Sequence, residues 1–228
     1  MLAERPVSAW MCVIGEYAMS RRRFLFTAAA ASWCAAWGPR VDAESPPAAA
    51  LGKAAPAFNV PDTGGRGRTL AEFKGKTVVL EWTSPSCPFA AAQYTSGRMP
   101  ELQRWAIGKG IVWLSVLSTH PSRGDYLAAA PAEAFNRERG GAPSALLMDT
   151  SGTMGHVYGA TTADHMFIIA GNGTLAYAGG IDDSESRDPK EVATSHNHVR
   201  AALEDLLAGR RVAVPSTEPF GCAVSYAG

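Results

Sequence analysis

Short apolar runs alternate with segments of helical periodicity along most of this chain. The runs are of strand length and are bounded by turn-forming residues, which is the pattern of strands buried within a sheet. They lie at 57–61, 77–82, 111–118, 145–148, 166–170 and 174–178. Gly171-Asn172-Gly173 separates the last two runs, and this spacing predicts a β-hairpin.

Helical patterns fill most of the intervals between these runs. We predict helices at 88–109, 132–139, 151–158 and 192–209. The first helix is expected to break near Gly97 and Pro100. Because strands and helices alternate first, and a hairpin and a terminal helix follow, the order predicts an α/β fold of three layers with helices on both faces of a mixed central sheet. We expect Val78–Trp82, Ile111–Val116 and Met166–Ile169 to be neighbouring strands of that sheet.

The N-terminal segment has the features of an export signal. Ser20-Arg21-Arg22-Arg23-Phe24-Leu25 resembles a twin-arginine motif, an apolar run follows at 26–37, and Val41-Asp42-Ala43 offers a cleavage site. An N-terminal membrane anchor is the alternative, but a run of about 12 residues is short for crossing a bilayer. We therefore predict an exported, periplasmic-type protein. Its predicted parts are a twin-arginine signal peptide at 1–43, a linker at 44–56, a domain at 57–209 and a tail at 210–228.

Composition limits the classes of partner for the predicted mature chain. Residues 44–228 hold 16 Lys and Arg against 18 Asp and Glu, so their formal charge is −2. This balance gives no indication of a nucleic acid or an anionic lipid as partner. Cys12 and Cys34 would leave with the signal, so Cys87 and Cys222 remain and allow one disulfide in an oxidising compartment. We expect no cofactor.

One stretch, TVVLEWTSPSCPFAAAQY at 77–94, predicts a strand, a turn, a cysteine and then a helix. Cys87 ends the turn. Pro88 follows at a position where the first turn of a helix tolerates proline, because the N–H that proline lacks would have no partner there. Backbone N–H groups and the helix dipole stabilise a thiolate at such a helix N-terminus. Cys87 is therefore the first candidate for chemistry, and the alternative is an inert cysteine.

The same stretch resembles the active-site segment of the thioredoxin-fold redoxins. This group contains thioredoxins, peroxiredoxins and the alkyl hydroperoxide reductase/thiol-specific antioxidant proteins. The resemblance extends from Ala54 to Leu207 and implies a three-layer α/β/α sandwich of the thioredoxin type. It also implies that Cys87 matches the nucleophilic cysteine of the family.

Three positions depart from the patterns of that family. Ala90 stands where a thioredoxin has its second cysteine, and Leu80 stands where a peroxiredoxin has a proline. Asp164 stands where the family has a cis-proline. Because a cis bond before a residue other than proline costs about 3–4 kcal/mol, we expect a trans peptide bond before Asp164.

Four further residues complete the candidate site. Cys222, in the tail, is interpreted as a resolving cysteine that bonds to Cys87. A purely structural disulfide with Cys87 and an unpaired surface thiol are the alternatives. Ser84 or Thr83 would hydrogen-bond the group that is attacked. His165 is expected near Cys87 as a base or a metal ligand, and the alternative is a solvated histidine at the start of a strand.

These residues predict an exported thiol-dependent oxidoreductase. Its Cys87 would attack a peroxide or a disulfide, and Cys222 or an external thiol would resolve the intermediate. The expected partners are a thiol reductant and a disulfide or peroxide substrate, with no membrane after signal cleavage. Two alternatives of other classes stay open: a copper-binding or metal-delivery protein with Cys87 and His165 as weak candidate ligands, and a redox-silent binding module of the same fold.

Overall fold

The structure is a computed structural model and describes residues 48–227. The predicted signal peptide and the first part of the predicted linker lie outside these residues. The strands are β1 (Asn59–Pro61), β2 (Gly67–Thr69), β3 (Val78–Trp82), β4 (Val112–Leu117), β5 (Ala145–Met148), β6 (Met166–Ile169) and β7 (Leu175–Gly179). The α-helices are α1 (Pro88–Thr95), α2 (Arg98–Gly108), α3 (Ala129–Glu138), α4 (Thr153–Tyr158), α5 (Pro189–Thr194) and α6 (His198–Leu207). A 3₁₀ turn at Leu70–Phe73 precedes β3.

Within the described residues, the central sheet has the strand order β5-β4-β3-β6-β7, and β1 and β2 form a separate antiparallel pair. β3 pairs in parallel with β4 and antiparallel with β6, so that Leu80 lies between Leu114 and Phe167. The prediction that these three strands are neighbours in a mixed sheet is therefore confirmed. β3 is buried along its whole length, and it carries the chain from the middle of the sheet to Cys87.

Alternate side chains of the strands enter two core layers. Leu80 and Trp82 belong to a layer that also contains residues of β1 and α4. Val79 and Trp113 point to the opposite face, where they join side chains from α1, α2 and α6. Helices thus cover both faces of the sheet, which confirms the predicted three-layer α/β/α architecture.

Two predicted helices are each divided in the structure. The break that the sequence predicts near Gly97 lies between α1 and α2, and Gly97 itself has a φ of 80°, which only glycine adopts readily. The predicted terminal helix consists of α5 and α6, and the Asn197 side chain caps α6 by accepting the backbone N–H of Arg200. An apolar stripe continues across such a cap, so the stripe alone did not reveal the division between α5 and α6.

No helix among residues 48–227 is long and apolar enough to span a bilayer.

Both ends of the described chain run along the domain. The backbone N–H of Ala49 donates to the carbonyl of Val157, and Ala54 forms a β-bridge with Thr174, so residues 48–56 lie beside α4 and the β6–β7 hairpin. The tail that follows α6 is mostly extended and irregular, as its lack of periodicity predicts. It crosses the domain towards the N-terminus of α1.

Candidate active site

Cys87 is the N-cap residue of α1, directly after the turn that leaves β3. Its carbonyl accepts the N–H of Ala91 at 2.9 Å, and Pro88 occupies the first helical turn. The Cys87 side chain is only 1% exposed and packs with Ala90 and Ala163. The sulfur therefore lies at the positive end of a helix dipole, in surroundings that are largely closed to solvent.

Cys87 forms a disulfide with Cys222 of the tail, with the two Cα atoms 5.6 Å apart. The backbone N–H of Cys222 also donates to the Cys87 sulfur at 3.2 Å. The two residues are 135 positions apart in sequence, so the bond closes most of the domain into one loop. The interpretation of Cys222 as an unpaired thiol is therefore wrong for this state of the molecule. Both of the other interpretations, resolving and structural, require this bond.

The tail reaches Cys87 as an extended segment paired with the loop that precedes β6. The N–H of Ala163 donates to the carbonyl of Cys222 at 2.8 Å, and the N–H of Val224 donates to the carbonyl of Thr161 at 3.0 Å. These two bonds make a short antiparallel bridge. No hydrophobic periodicity indicates this bridge, because two hydrogen bonds need only an extended backbone on each side.

Thr83 and Ser84 lie in the turn before Cys87, and both have polar neighbours. The oxygen atoms of the Ser84 and Ser86 hydroxyls are 3.1 Å apart. The Thr83 hydroxyl accepts a hydrogen bond from Nη1 of Arg139 at 3.0 Å. Ser84 and Arg139 line a cleft of about 420 Å³ next to the turn. Sequence reasoning missed Arg139, because it follows α3 and returns to this turn from 56 residues away.

A second residue that sequence reasoning missed is Glu81, which has no exposed surface in the middle of the sheet. Its Oε1 accepts the hydroxyl of Tyr94 at 2.7 Å. Its Oε2 accepts from the side chains of Gln103, Trp113 and Ser115 at 2.9, 2.7 and 2.6 Å. A single charged residue inside an apolar strand was the available signal, since such a group must be hydrogen-bonded when it is buried.

Asp164 is also fully buried, but neither of its carboxyl oxygens has a hydrogen-bond partner. The peptide bond before it is trans, as expected. Its φ is 67°, and it is the one residue other than glycine with a positive φ among the described residues. Burial raises the pKa of Asp164 well above its usual range, and the negative charge of Glu81 raises it further. Both causes act against the charged form of this carboxyl group.

His165 is buried at the start of β6, so its interpretation as a solvated histidine is wrong. Its ring stacks on that of Phe167 at 4.3 Å between centroids, and its Nδ1 accepts the N–H of Thr161 at 3.4 Å. Burial lowers the pKa of His165 to about 4, so the ring is neutral at neutral pH. Because Thr161 also pairs with the tail, His165 supports the loop that holds Cys222.

The weak metal candidates, Cys87 and His165, do not form a binding group in this structure. Within residues 48–227, no three or more His, Cys, Asp or Glu side chains are arranged to hold one ion. The sulfur of Cys87 is bonded to Cys222 and is not a free ligand. A metal site that uses Cys87 would therefore require the reduced protein.

Most of the domain that carries Cys87 matches a known protein family. Residues 51–178, more than half of the chain, match the AhpC/TSA family. A comparison with curated proteins gives no significant match. Among solved structures, a hypothetical protein from Sinorhizobium meliloti 1021 is 23% identical, with a TM-score of 0.65, over 80% of this chain and 98% of that one.

Two further solved structures are similar in fold. An uncharacterized conserved protein from Geobacillus kaustophilus is 23% identical, with a TM-score of 0.68, over 78% of this chain and 93% of that one. A putative thiol:disulfide interchange protein DsbE from Chlorobium tepidum is 18% identical, with a TM-score of 0.51, over 71% of this chain and 98% of that one. At these identities the similarity establishes a thioredoxin-like fold and nothing finer.

Proposed function

The chain belongs to the AhpC/TSA family, and from that premise we propose that it is an exported thiol-dependent oxidoreductase that reacts through Cys87. The observation that supports this most is the bond between Cys87, at the N-terminus of α1, and Cys222 of the tail. A helix N-terminus favours a thiolate, and a second cysteine within bonding distance gives that thiolate a partner in the same chain. A stabilised thiolate and a second cysteine beside it are what thiol–disulfide exchange requires.

In the oxidised protein, we propose that a reductant attacks the sulfur of Cys222, because Cys222 is the more exposed residue of the pair. The Cys222 residue is partly exposed, whereas Cys87 is 1% exposed. An external thiolate attacks the Cys222 sulfur, the bond to Cys87 breaks, and Cys87 leaves as a thiolate at the N-terminus of α1. A second external thiol then releases the mixed disulfide, so that two thiols are oxidised and both cysteines are reduced.

The reduced protein passes these electrons to its substrate. The Cys87 thiolate attacks a substrate disulfide, forms a mixed disulfide and releases one substrate thiolate. The Cys222 thiolate then attacks the Cys87 sulfur, releases the second substrate thiolate and restores the Cys87–Cys222 bond. One cycle therefore reduces one substrate disulfide at the expense of two donor thiols.

A peroxide is the second candidate substrate, and the pair formed by Arg139 and Thr83 favours it. This pair places a guanidinium and a hydroxyl beside the turn that carries Cys87, where they can hydrogen-bond oxygen atoms. The Cys87 thiolate would break the O–O bond, giving a sulfenic acid and, after protonation, an alcohol or water. The Cys222 thiol would then condense with the sulfenic acid and release water.

Export is proposed together with this chemistry. Its support is the Ser20-Arg21-Arg22-Arg23 motif with the apolar run after it, and the Cys87–Cys222 disulfide. Disulfides persist in oxidising compartments such as the periplasm and are rare in the cytosol.

The test uses the reduced predicted mature chain and its Cys87→Ser and Cys222→Ser variants. Each is mixed with oxidised glutathione or with hydrogen peroxide, and free thiols are counted by alkylation and mass measurement. We expect the unchanged chain to lose two thiols as its disulfide re-forms. Cys222→Ser should accumulate a glutathione adduct or a sulfenic acid on Cys87. If Cys87→Ser reacts as fast as the unchanged chain, the proposed function is wrong.

A further inference from the structure

The tail is held on both sides of Cys222 by contacts that do not involve sulfur. On the N-terminal side, the Thr217 hydroxyl lies 2.6 Å from the hydroxyl of Tyr177 and accepts the N–H of Gly180 at 3.0 Å. On the C-terminal side, Tyr226 is attached to α4. We call residues 217–226 the strap. Because neither attachment depends on the disulfide, both can persist when the disulfide is reduced.

The attachment of Tyr226 has the features of a binding socket. Its ring stacks on that of His156, with 4.2 Å between centroids and 28° between planes. Its hydroxyl donates to the carbonyl of Ala160 at 2.8 Å. Burial raises the pKa of Tyr226, so the hydroxyl keeps the proton that it donates.

Two glycines make room for the Tyr226 ring. A Cβ atom at Gly155 would lie 2.7 Å from Cε1 of Tyr226, and one at Gly152 would lie 2.6 Å from Cδ1, both too close for real atoms. Gly155 lies within α4, where alanine is the more favourable residue for a helix. The Tyr226 ring thus fills the space above Gly155 that a side chain would need.

We infer that Gly152, Gly155, His156 and the Ala160 carbonyl form an aromatic socket that docks Tyr226 and thereby holds Cys222 against Cys87 in the reduced protein. Tyr226 is a positioning residue for the resolving thiol. The inference rests on the proposed role of Cys222 as that thiol. Holding the strap raises the effective concentration of Cys222 at Cys87, as a short tether does for a second binding event.

The experiment measures this effective concentration directly. The reduced predicted mature chain is equilibrated in buffers of defined glutathione composition, where the protein dithiol and oxidised glutathione exchange for the protein disulfide and two glutathione thiols. The disulfide fraction gives the equilibrium constant. Tyr226→Ala removes the ring, and Gly155→Ala blocks the socket while leaving the tail unchanged. Val214→Ala is the control, because Val214 is an exposed tail residue before the strap.

We expect Tyr226→Ala and Gly155→Ala each to lower the equilibrium constant by about tenfold or more, since each frees the strap at one end. The double variant should lie within about twofold of the single ones, because both remove the same contact. Val214→Ala should match the unchanged chain. If Tyr226→Ala or Gly155→Ala also matches the unchanged chain, the inference is overturned.

A second measurement separates this inference from the proposed function. Amide hydrogen exchange at 223–227 in the reduced chain reports docking of the strap without any redox cycle. We expect slower exchange in the unchanged chain than in Gly155→Ala, and equal exchange would overturn the inference. If the unchanged chain never re-forms its disulfide from oxidised glutathione, the proposed function fails, while the exchange measurement still decides whether the socket holds the strap.

Discussion

The backbone N–H of Ala163 donates to the carbonyl of Cys222 at 2.8 Å, so the loop before β6 positions Cys222, the disulfide cysteine that lies in the tail. The other half, Cys87, is fixed by α1, which begins directly after it. The two sulfurs are therefore positioned by separate elements, and β3 and β6 bring these elements together as neighbours in the sheet. The redox state of the pair should in consequence affect the stability of the whole domain.

Reduction of the disulfide should lower the free energy of unfolding. Closing a loop of 135 residues restricts the unfolded chain, and the chain-entropy account gives about 5 kcal/mol as the upper value of the effect. Urea unfolding of the predicted mature chain with and without a reductant measures it. Cys222→Ser is the control, because its stability should not respond to the reductant. Equal midpoints for the oxidised and reduced chains would show that the bond does not constrain the domain.

Glu81→Gln should destabilise the domain by about 1–3 kcal/mol. Glutamine keeps the shape of the side chain but replaces one acceptor oxygen with an NH₂ donor. The N–H groups of Gln103 and Trp113 need an acceptor, so the new NH₂ must face the Tyr94 hydroxyl, whose O–H then loses the oxygen atom to which it donates. Urea unfolding measures the loss, with the exposed Glu101→Gln as the control. A variant as stable as the unchanged chain would mean that the carboxyl group is not needed by these donors.

Asp164→Asn should become more stable relative to the unchanged chain as the pH rises. Burial raises the pKa of Asp164 in the folded protein above the ordinary 3.8, so its contribution to stability is present at low pH and is lost as the pH rises through the folded value. Asparagine does not titrate and also tolerates a positive φ. The difference in free energy of unfolding should therefore change by up to about 1.4 kcal/mol per pH unit above about pH 4.

Chemical unfolding of both chains from pH 4 to 8 measures this difference. Asp62→Asn is the control. Burial raises the pKa of Asp62, but the hydrogen bond from Arg68 and two backbone N–H groups outweigh burial, so the net shift is downward from 3.8. The difference between Asp62→Asn and the unchanged chain should consequently stay constant above about pH 5, where this carboxyl group is ionised in both the folded and the unfolded chain. A constant difference for Asp164→Asn as well would place a charged carboxylate at position 164.

Export should depend on the arginine pair. We expect replacement of Arg21 and Arg22 by lysine to abolish translocation, and the exported protein to begin near Glu44, because the motif precedes a short apolar run. N-terminal sequencing of extracytoplasmic protein checks both expectations. Full-length protein retained in the membrane would instead support an N-terminal anchor.

Part of the fold could be predicted from the hydrophobic pattern and from the turn-forming residues of the sequence. β3, β4 and β6 were predictable because their apolar runs are buried on both faces of the sheet, and Cys87 because a proline follows it after a turn. Arg139 was not predictable, since only the packing of α3 returns it to Thr83. Tyr226 was not predictable either, because its socket depends on the space left by Gly152 and Gly155 and on the backbone carbonyl of Ala160. Such contacts leave no pattern along a single sequence.

The central claim is that Cys87 is the activated thiol of the pair. The helix dipole favours its anion by about 0.3–1 kcal/mol. The most direct test is the pH dependence of iodoacetamide labelling of the reduced single-thiol variants Cys222→Ser and Cys87→Ser. We expect the labelling of Cys87 to have its midpoint below the usual thiol pKa of about 8.5, and that of Cys222 to stay near it. A lower midpoint for Cys222, or a Cys87 that labels only above pH ~9, would contradict the account.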